Sequence, residues 1–201
     1  IVAGNYSGSN YTGVAKDAQL VIMEVFNQET GAEWPVLLAA MEDCAYLEVD
    51  ALNMSLGSDC GFTSDGEEVE AVYTLLSQHG VNVAVASGNS GSTSKQYYGS
   101  NYSYSLAMNP DDGLSSSPGT YAGSLCVAAS TKSTSAALCS FSSWGSTADL
   151  KIKPEVTAPG DSIYAPVDSS TSGATTSYGS KSGTSMATPH VAGAMGIVSR
   201  Y

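Results

Sequence analysis

The sequence predicts an α/β fold of three layers, in which a mostly parallel, doubly wound sheet carries helices on both faces. Two observations predict it. Short apolar runs of strand length alternate with longer amphipathic stretches, strand–helix–strand–helix–strand. Hydrophobic residues make up 42% of 201 residues, enough for one domain with a sizeable core.

Taken in order, Gln19–Phe26 (QLVIMEVF) reads as a buried strand. Glu33–Glu48 reads as a helix with Pro35 in its first turn, where a missing N–H does no harm. Asp50–Leu56 (DALNMSL) is the next strand. Gly66–His79 is a second helix, with Leu75 and Leu76 on its core side and Gly80 as its stop. Val81–Ala86 (VNVAVA) and Ser124–Ala129 (SLCVAA) are further strands. Residues 90–120, rich in Ser, Tyr, Asn and Gly, read as one long surface excursion. A second polar stretch, 165–182, precedes the last helix.

Charge narrows the partners. Seven Lys and Arg stand against 19 Asp and Glu, a net charge of −12. Such a surface repels nucleic acid and anionic membranes. No apolar run has the length needed to span a bilayer. The four cysteines, Cys44, Cys60, Cys126 and Cys139, show no metal-ligand spacing. Cys126 and Cys139 lie in apolar stretches that allow a bridge, but buried free thiols are the commoner outcome.

The most informative segment is Gly183–Gly193 (GTSMATPHVAG). Pro189 is tolerated only near a helix start, so the last helix begins close to Thr184 or Ser185. Ser185 then sits among backbone N–H groups without intrahelical partners, at the positive end of the helix dipole. Both favour a negative oxygen. Gly183 allows close approach of a substrate backbone. A lone serine before a helix is most often just an N-cap; the whole segment argues for a nucleophile. Val83–Gly91 (VAVASGNSG) leaves the C-terminal end of a central strand, where doubly wound folds place their sites. Asn89 there carries an amide able to donate to an oxyanion, and Gly88 relieves crowding beside it. Asn53–Gly57 (NMSLG) leaves another strand end, with backbone free to pair with an extended peptide.

These segments resemble the subtilisin-like serine peptidases. GTSMATPHVAG resembles their catalytic-serine signature, VAVASGNSG their oxyanion-asparagine segment, and NMSLG their substrate-binding strand. FSSWG (Phe141–Gly145) and TAPG (Thr157–Gly160) resemble later core segments. The resemblance covers essentially the whole chain. It implies a subtilisin-like fold, with Ser185 as nucleophile and Asn89 as oxyanion donor beside the Ser185 N–H. It implies Ser55, Leu56 and Gly57 as one wall of the specificity pocket and Ala86, Ser87 and Gly88 as the other, with a floor near Ser116–Gly119. Gly183 and Thr184 join the substrate-binding set. GVAKDAQLVIMEVF and WGSTADLKIKPEVTAPG are most similar to the lactocepin-like cell-envelope proteinases of Gram-positive bacteria. Those often carry a protease-associated insert, for which Ala129–Phe141 is too short. The implied protein is an extracellular or cell-wall-associated bacterial endopeptidase acting on proteins or peptides. It needs no organic cofactor and inserts no part of this segment into a membrane.

A serine hydroxyl needs a base. The chain has two histidines. His190, five residues after Ser185, lies about 140° past a full helical turn and about 7.5 Å along the axis, pointing away from the hydroxyl. His79 falls at the wrong end of the sheet. Lys181 reads as a solvated loop lysine. In subtilisins the chain order is Asp, His, Ser, and IVAGN resembles the continuation of the family's HGTHVAG segment. The expectation is therefore an incomplete peptidase domain, with His and Asp upstream of Ile1 and the C-terminal end beyond Tyr201, inactive alone. Calcium is a candidate ligand of the Asn5–Tyr11 loop, which offers Asn and Ser side chains and carbonyls. The alternative is a non-catalytic pseudopeptidase that binds extended peptides.

Overall fold

A computed structural model describes residues 1–5, 11–27, 31–64, 66–91, 95–98, 101–104, 115–167 and 177–200. Four parallel strands form the central sheet: β1 (Ala51–Met54), β2 (Asn82–Ala86), β3 (Leu125–Ser130) and β4 (Val156–Pro159). They lie side by side in chain order. Leu52 pairs with Val83, Ala84 with Leu125, and Val127 with Val156. Three helices flank them: α1 (Trp34–Tyr46), α2 (Glu67–Gln78) and α3 (Thr184–Val198).

The two-residue period of β2 divides the core. Val83 and Val85 point to one face and pack with Leu37 and Met41 of α1 and Val72 and Leu76 of α2. Ala84 points to the other, where Val127, Ala129, Ala158, Ala187 and Ala192 gather under α3. Large side chains thus fill the double-helix side. Alanines let α3 lie close against the sheet, which brings its N-terminus to the ends of β1 and β2. Helix signals in the sequence hold: Pro35 sits in the first turn of α1. Glu67, Glu68 and Glu70 occupy the positive end of α2. Gly80 ends that helix at φ 71°.

Three expectations change. Gln19–Phe26 is not a strand; only Phe26–Asn27 pairs, with Gly31–Ala32. Leu20 and Ile22 are 55% and 80% exposed, while Met23 and Val25 touch the α1/α2 core. Val21, between Leu20 and Ile22, is exposed too; a strand requires a paired edge, and among the described residues the sheet ends at β1. Within 90–120, the described residues are not all surface. Lys95–Tyr98 and Asn101–Tyr104 form a hairpin, whereas Ser115, Ser116, Ser117 and Thr120 are buried. Backbone pairing makes this tolerable: Ser116 N–H donates to Ser87 O at 2.9 Å, and Ser117 and Ser58 exchange both bonds. Within 165–182, Ile163–Val167 pairs with Ser177–Lys181.

One buried cation escaped notice in the sequence. Lys153 donates to the carbonyls of Tyr121 and Ser124, both at 2.9 Å, and pairs with Glu155 at 2.6 Å. Glu155 in turn accepts from Cys126 N–H at 2.8 Å, tying the start of β3 to β4's approach. None of the four cysteines forms a disulfide. Burial pushes the Cys126 thiol up to about 12, with the Lys153 charge pulling the other way.

Candidate active site

β1, β2 and α3 deliver their chemistry to one place. Ser55–Gly57 follows the C-terminal end of β1, and Ser87–Asn89 follows that of β2. The N-terminus of α3 faces both. Between them lies a cavity of about 410 Å³. Ser55, Leu56 and Gly57 line one side and Ala86, Gly88 and Asn89 the other, with Thr184 and Ser185 at the mouth of α3. Ser116, Ser117 and Pro118, from the segment expected at the floor, also line the cavity. The hydroxyl-bearing Ser185 and the amide-bearing Asn89 therefore share one cavity.

Two of the expected substrate-binding residues, Ser87 and Gly183, are not among those lining the cavity. Ser87 is a correction: its side chain is fully buried and donates to Ser143 O at 2.9 Å. The residue follows β2, where consecutive side chains alternate faces, and its hydroxyl is satisfied inside. Gly183 is also absent from the lining. Its glycine requirement is backbone conformation, φ 153°, with its N–H donated to Gly160 O at 2.8 Å.

Asn89 is oriented from one side. Its Oδ1 accepts from Thr184 N–H at 2.9 Å, and the Thr184 hydroxyl lies 3.2 Å from the same oxygen. With the oxygen so engaged, Nδ2 is the amide's remaining group, and it is a donor. The FSSWG segment clamps the loop around it. Ser143 N–H donates to Gly88 O, Gly91 N–H to Phe141 O, and Ser90 N–H to Ser143 Oγ, at 2.9, 2.9 and 3.0 Å. At Gly88 (φ 103°) a Cβ would lie 2.2 Å from Ser116 Oγ, so only glycine fits between the loop and the floor.

Ser185 is the second residue of α3. Its Oγ donates to Ser55 O at 3.2 Å, and Ser55 Oγ donates back to Ser185 O at 2.9 Å. The second bond has a cause in the sequence. Pro189 stands inside the helix, and its missing N–H would have been the partner of Ser185 O. Ser55 supplies the donor that the proline removes, and so fixes β1's end to the serine's own peptide unit.

The histidines fall where helix geometry put them. His190 Nδ1 lies 2.9 Å from Met186 O. Burial holds its imidazole below the ordinary value, against the pull of the Met186 carbonyl. His79 is exposed at the end of α2, edge-on to Tyr46. Neither lines the cavity, and Lys181 is exposed. Of the Asn5–Tyr11 loop, residues 6–10 lie outside the described residues. Among the described residues, no three His, Cys, Asp or Glu side chains cluster as metal ligands.

Sequence reasoning missed two parts of the cavity. Phe26, Ala32, Trp34 and Leu37 form an apolar end, and Asp59 brings a carboxylate. Asp59 lies just past NMSLG, so proximity to that segment was its only sequence signal.

A family model described as the subtilase family matches residues 1–200. The chain belongs to the subtilase family. This subtilase is 33% identical over 208 residues to subtilisin DY of Bacillus licheniformis, covering all of this chain and 62% of that protein. It is 32% identical to subtilisin E of Bacillus subtilis, over 98% of this chain and 44% of that protein. The PII-type proteinase of Lacticaseibacillus paracasei is 37% identical over 136 residues, 64% of this chain and 7% of that proteinase. The subtilase chain thus spans less than two thirds of the length of these relatives. Its fold matches that of the patellamide maturation protease PatA with a TM-score of 0.75 at 21% identity, over 98% of this chain and 61% of that one. The parallel sheet and its helices are an incomplete subtilisin-like fold.

Proposed function

We propose that this chain carries the nucleophile and the oxyanion-binding half of a serine endopeptidase that hydrolyses peptide bonds through an acyl-enzyme on Ser185. The observation that carries the reading is the shared cavity. Ser185 Oγ and the Asn89 carboxamide approach it from the ends of adjacent elements, with Asn89 Oδ1 bound to Thr184 N–H so that Nδ2 is left to donate.

An extended peptide lies between the Ser55–Gly57 and Ala86–Gly88 walls. Ser185 Oγ attacks the scissile carbonyl, forming a C–O bond while its proton passes to a base. Asn89 Nδ2 and the Ser185 N–H, unpaired in the first turn of α3, hold the negative oxygen. Such preorganised donors act where charge develops. The C–N bond then breaks, the amine leaves with a proton, and water hydrolyses the ester. Neither His79 nor His190 lines the cavity, and we assign the base and its orienting acid to segments other than residues 1–201. Relatives named subtilisin and proteinase favour the same chemistry on protein or peptide substrates, and the proposed setting is extracellular or cell-wall associated. No organic cofactor enters the scheme. Calcium at Asn5–Tyr11 is a separate expectation, tested by calcium-dependent melting of the protein.

The test is peptide hydrolysis by the full-length protein and by the 201-residue chain. The full-length form turns over peptides, Ser185→Ala abolishes this, and the chain alone shows negligible turnover. Asn89→Ala lowers kcat by about 10²–10³, the range known for removing this kind of donor in subtilisin itself rather than one worked from this geometry. Unchanged kcat in Asn89→Ala removes that residue from the mechanism. Tight peptide binding without hydrolysis by the full-length protein replaces the enzyme with a non-catalytic peptide-binding pseudopeptidase.

A further inference from the structure

We infer that Asp59 makes this cavity a receptor for a lysine or arginine side chain, so that the peptides held beside Ser185 are those with a basic residue just before the attacked bond. The inference rests on the peptide-binding part of the proposed function and names its substrate class.

Asp59 is the one charged residue among the described residues lining the cavity. Its place is set by the floor. Ser116 Oγ donates to Asp59 Oδ1 at 3.1 Å, and Ser90 Oγ donates to Oδ2. Ser116 itself stands between the two walls. A Cβ on Gly57 would come within 3.0 Å of its Cβ, and one on Gly88 within 2.2 Å of its Oγ. The carboxylate, itself exposed, therefore lies in the cavity lining against the floor residue that both walls flank. A side chain entering between Gly57 and Gly88 runs toward it.

The chemistry selects a cation. An ionised carboxylate only accepts, with about four lone-pair positions. Two hydroxyls occupy one position on each oxygen and leave the others open. Asp59 is in none of the ion pairs among the described residues, which are Lys16–Asp17, Lys153–Glu155 and Arg200–Asp50. The hydroxyls hold the carboxylate in place without neutralising it, as a site awaiting positive charge requires. Ser, Gly, Leu and Ala walls pack the methylene stem of a lysine or arginine while its head reaches the acid. The net charge of −12 acts in the same direction over longer range, drawing basic peptides and repelling acidic ones. A glutamate in the slot would face Asp59 with no counter-charge.

The experiment measures binding apart from catalysis. Labelled tetrapeptide amides that differ only in the last residue (lysine, norleucine or glutamate) are titrated by fluorescence anisotropy into the full-length protein carrying Ser185→Ala. Norleucine matches the lysine stem without its charge. A charge-assisted hydrogen bond, discounted for the exposure of Asp59, favours lysine over norleucine by about tenfold at low salt. The ratio shrinks as salt rises, and glutamate binds weakest. Asp59→Asn in the same background keeps the shape and both hydroxyl partners, and brings the ratio toward one.

Equal binding of lysine and norleucine peptides, absent binding of the lysine peptide, or a ratio unmoved by Asp59→Asn overturns the inference. Hydrolysis by the protein with Ser185 intact is scored separately. Lysine preference without turnover sinks the enzyme reading alone; turnover without lysine preference sinks this inference alone.

Discussion

Ser55 and Pro189 form a compensating pair that a double-mutant cycle can isolate. Pro189 leaves Ser185 O without its helical donor, and Ser55 Oγ fills the gap at 2.9 Å across 130 residues of sequence. A net hydrogen bond contributes about 1 kcal/mol, and a half-buried carbonyl left bare raises the cost toward about 2. Ser55→Ala is therefore expected to destabilise the protein by about 1–2 kcal/mol. Pro189→Ala loses about 1.5 kcal/mol of buried ring methylenes but restores an N–H aimed at Ser185 O and removes the steric cost of proline in a helix. These effects oppose each other, so the single variant decides little. The cycle decides. In the Pro189→Ala background the carbonyl keeps its helical bond, and Ser55→Ala costs only about 0.5 kcal/mol. The expected coupling is about 1 kcal/mol, well above the usual scatter of additive pairs. Urea unfolding of the four proteins, monitored by circular dichroism, measures it. If Ser55→Ala costs the same in both backgrounds, Ser55 is not the surrogate donor for the proline.

Gly88→Ala combines a left-handed backbone with a 2.2 Å approach to Ser116 Oγ, so a loss of about 3 kcal/mol is expected; an unchanged melting temperature would refute the close fit of loop and floor. His190 is held below its ordinary value mainly by burial, with the Met186 carbonyl opposing the shift. The unfolded chain then binds the proton more readily than the folded one. The stabilisation is complete above pH 6.5 and is lost as pH falls through the lower folded value. The melting temperature should drop between pH 7 and pH 5, and drop less in His190→Gln; identical pH profiles for the two proteins would contradict the buried, neutral imidazole.

Much of the site could be read in advance because its parts obey local rules. A proline near a helix start places Ser185 in the first turn whatever packs around it. An apolar run ending in SGN places Asn89 past a strand end. His190 was ruled out as base by the helical angle alone, and it indeed turns to Met186 O. Where neighbours decide, the reading failed. Gln19–Phe26 has a strand's pattern but no pairing edge. Ser87 belongs to the right segment but turns inward to Ser143. Ser115–Ser117 look like surface and are interior, because polarity shows that a group needs a partner without showing whether water or a neighbouring peptide supplies it.

By itself, then, the order of residues determined the strand and helix alternation, the helix boundaries set by Pro35, Gly80 and Pro189, the strand ends that bear Ser55 and Asn89, and the helix start that bears Ser185. Tertiary structure alone decided that Ser55 replaces the hydrogen bond Pro189 removes, that Ser143 clamps the asparagine loop, and that Asp59 meets Ser116 in the cavity lining. The physical reason is range. Helical and strand periodicities act over a few residues and leave their mark on composition. A bond between residues 55 and 185 depends on how closely alanines let α3 approach the sheet, and no local pattern encodes that distance.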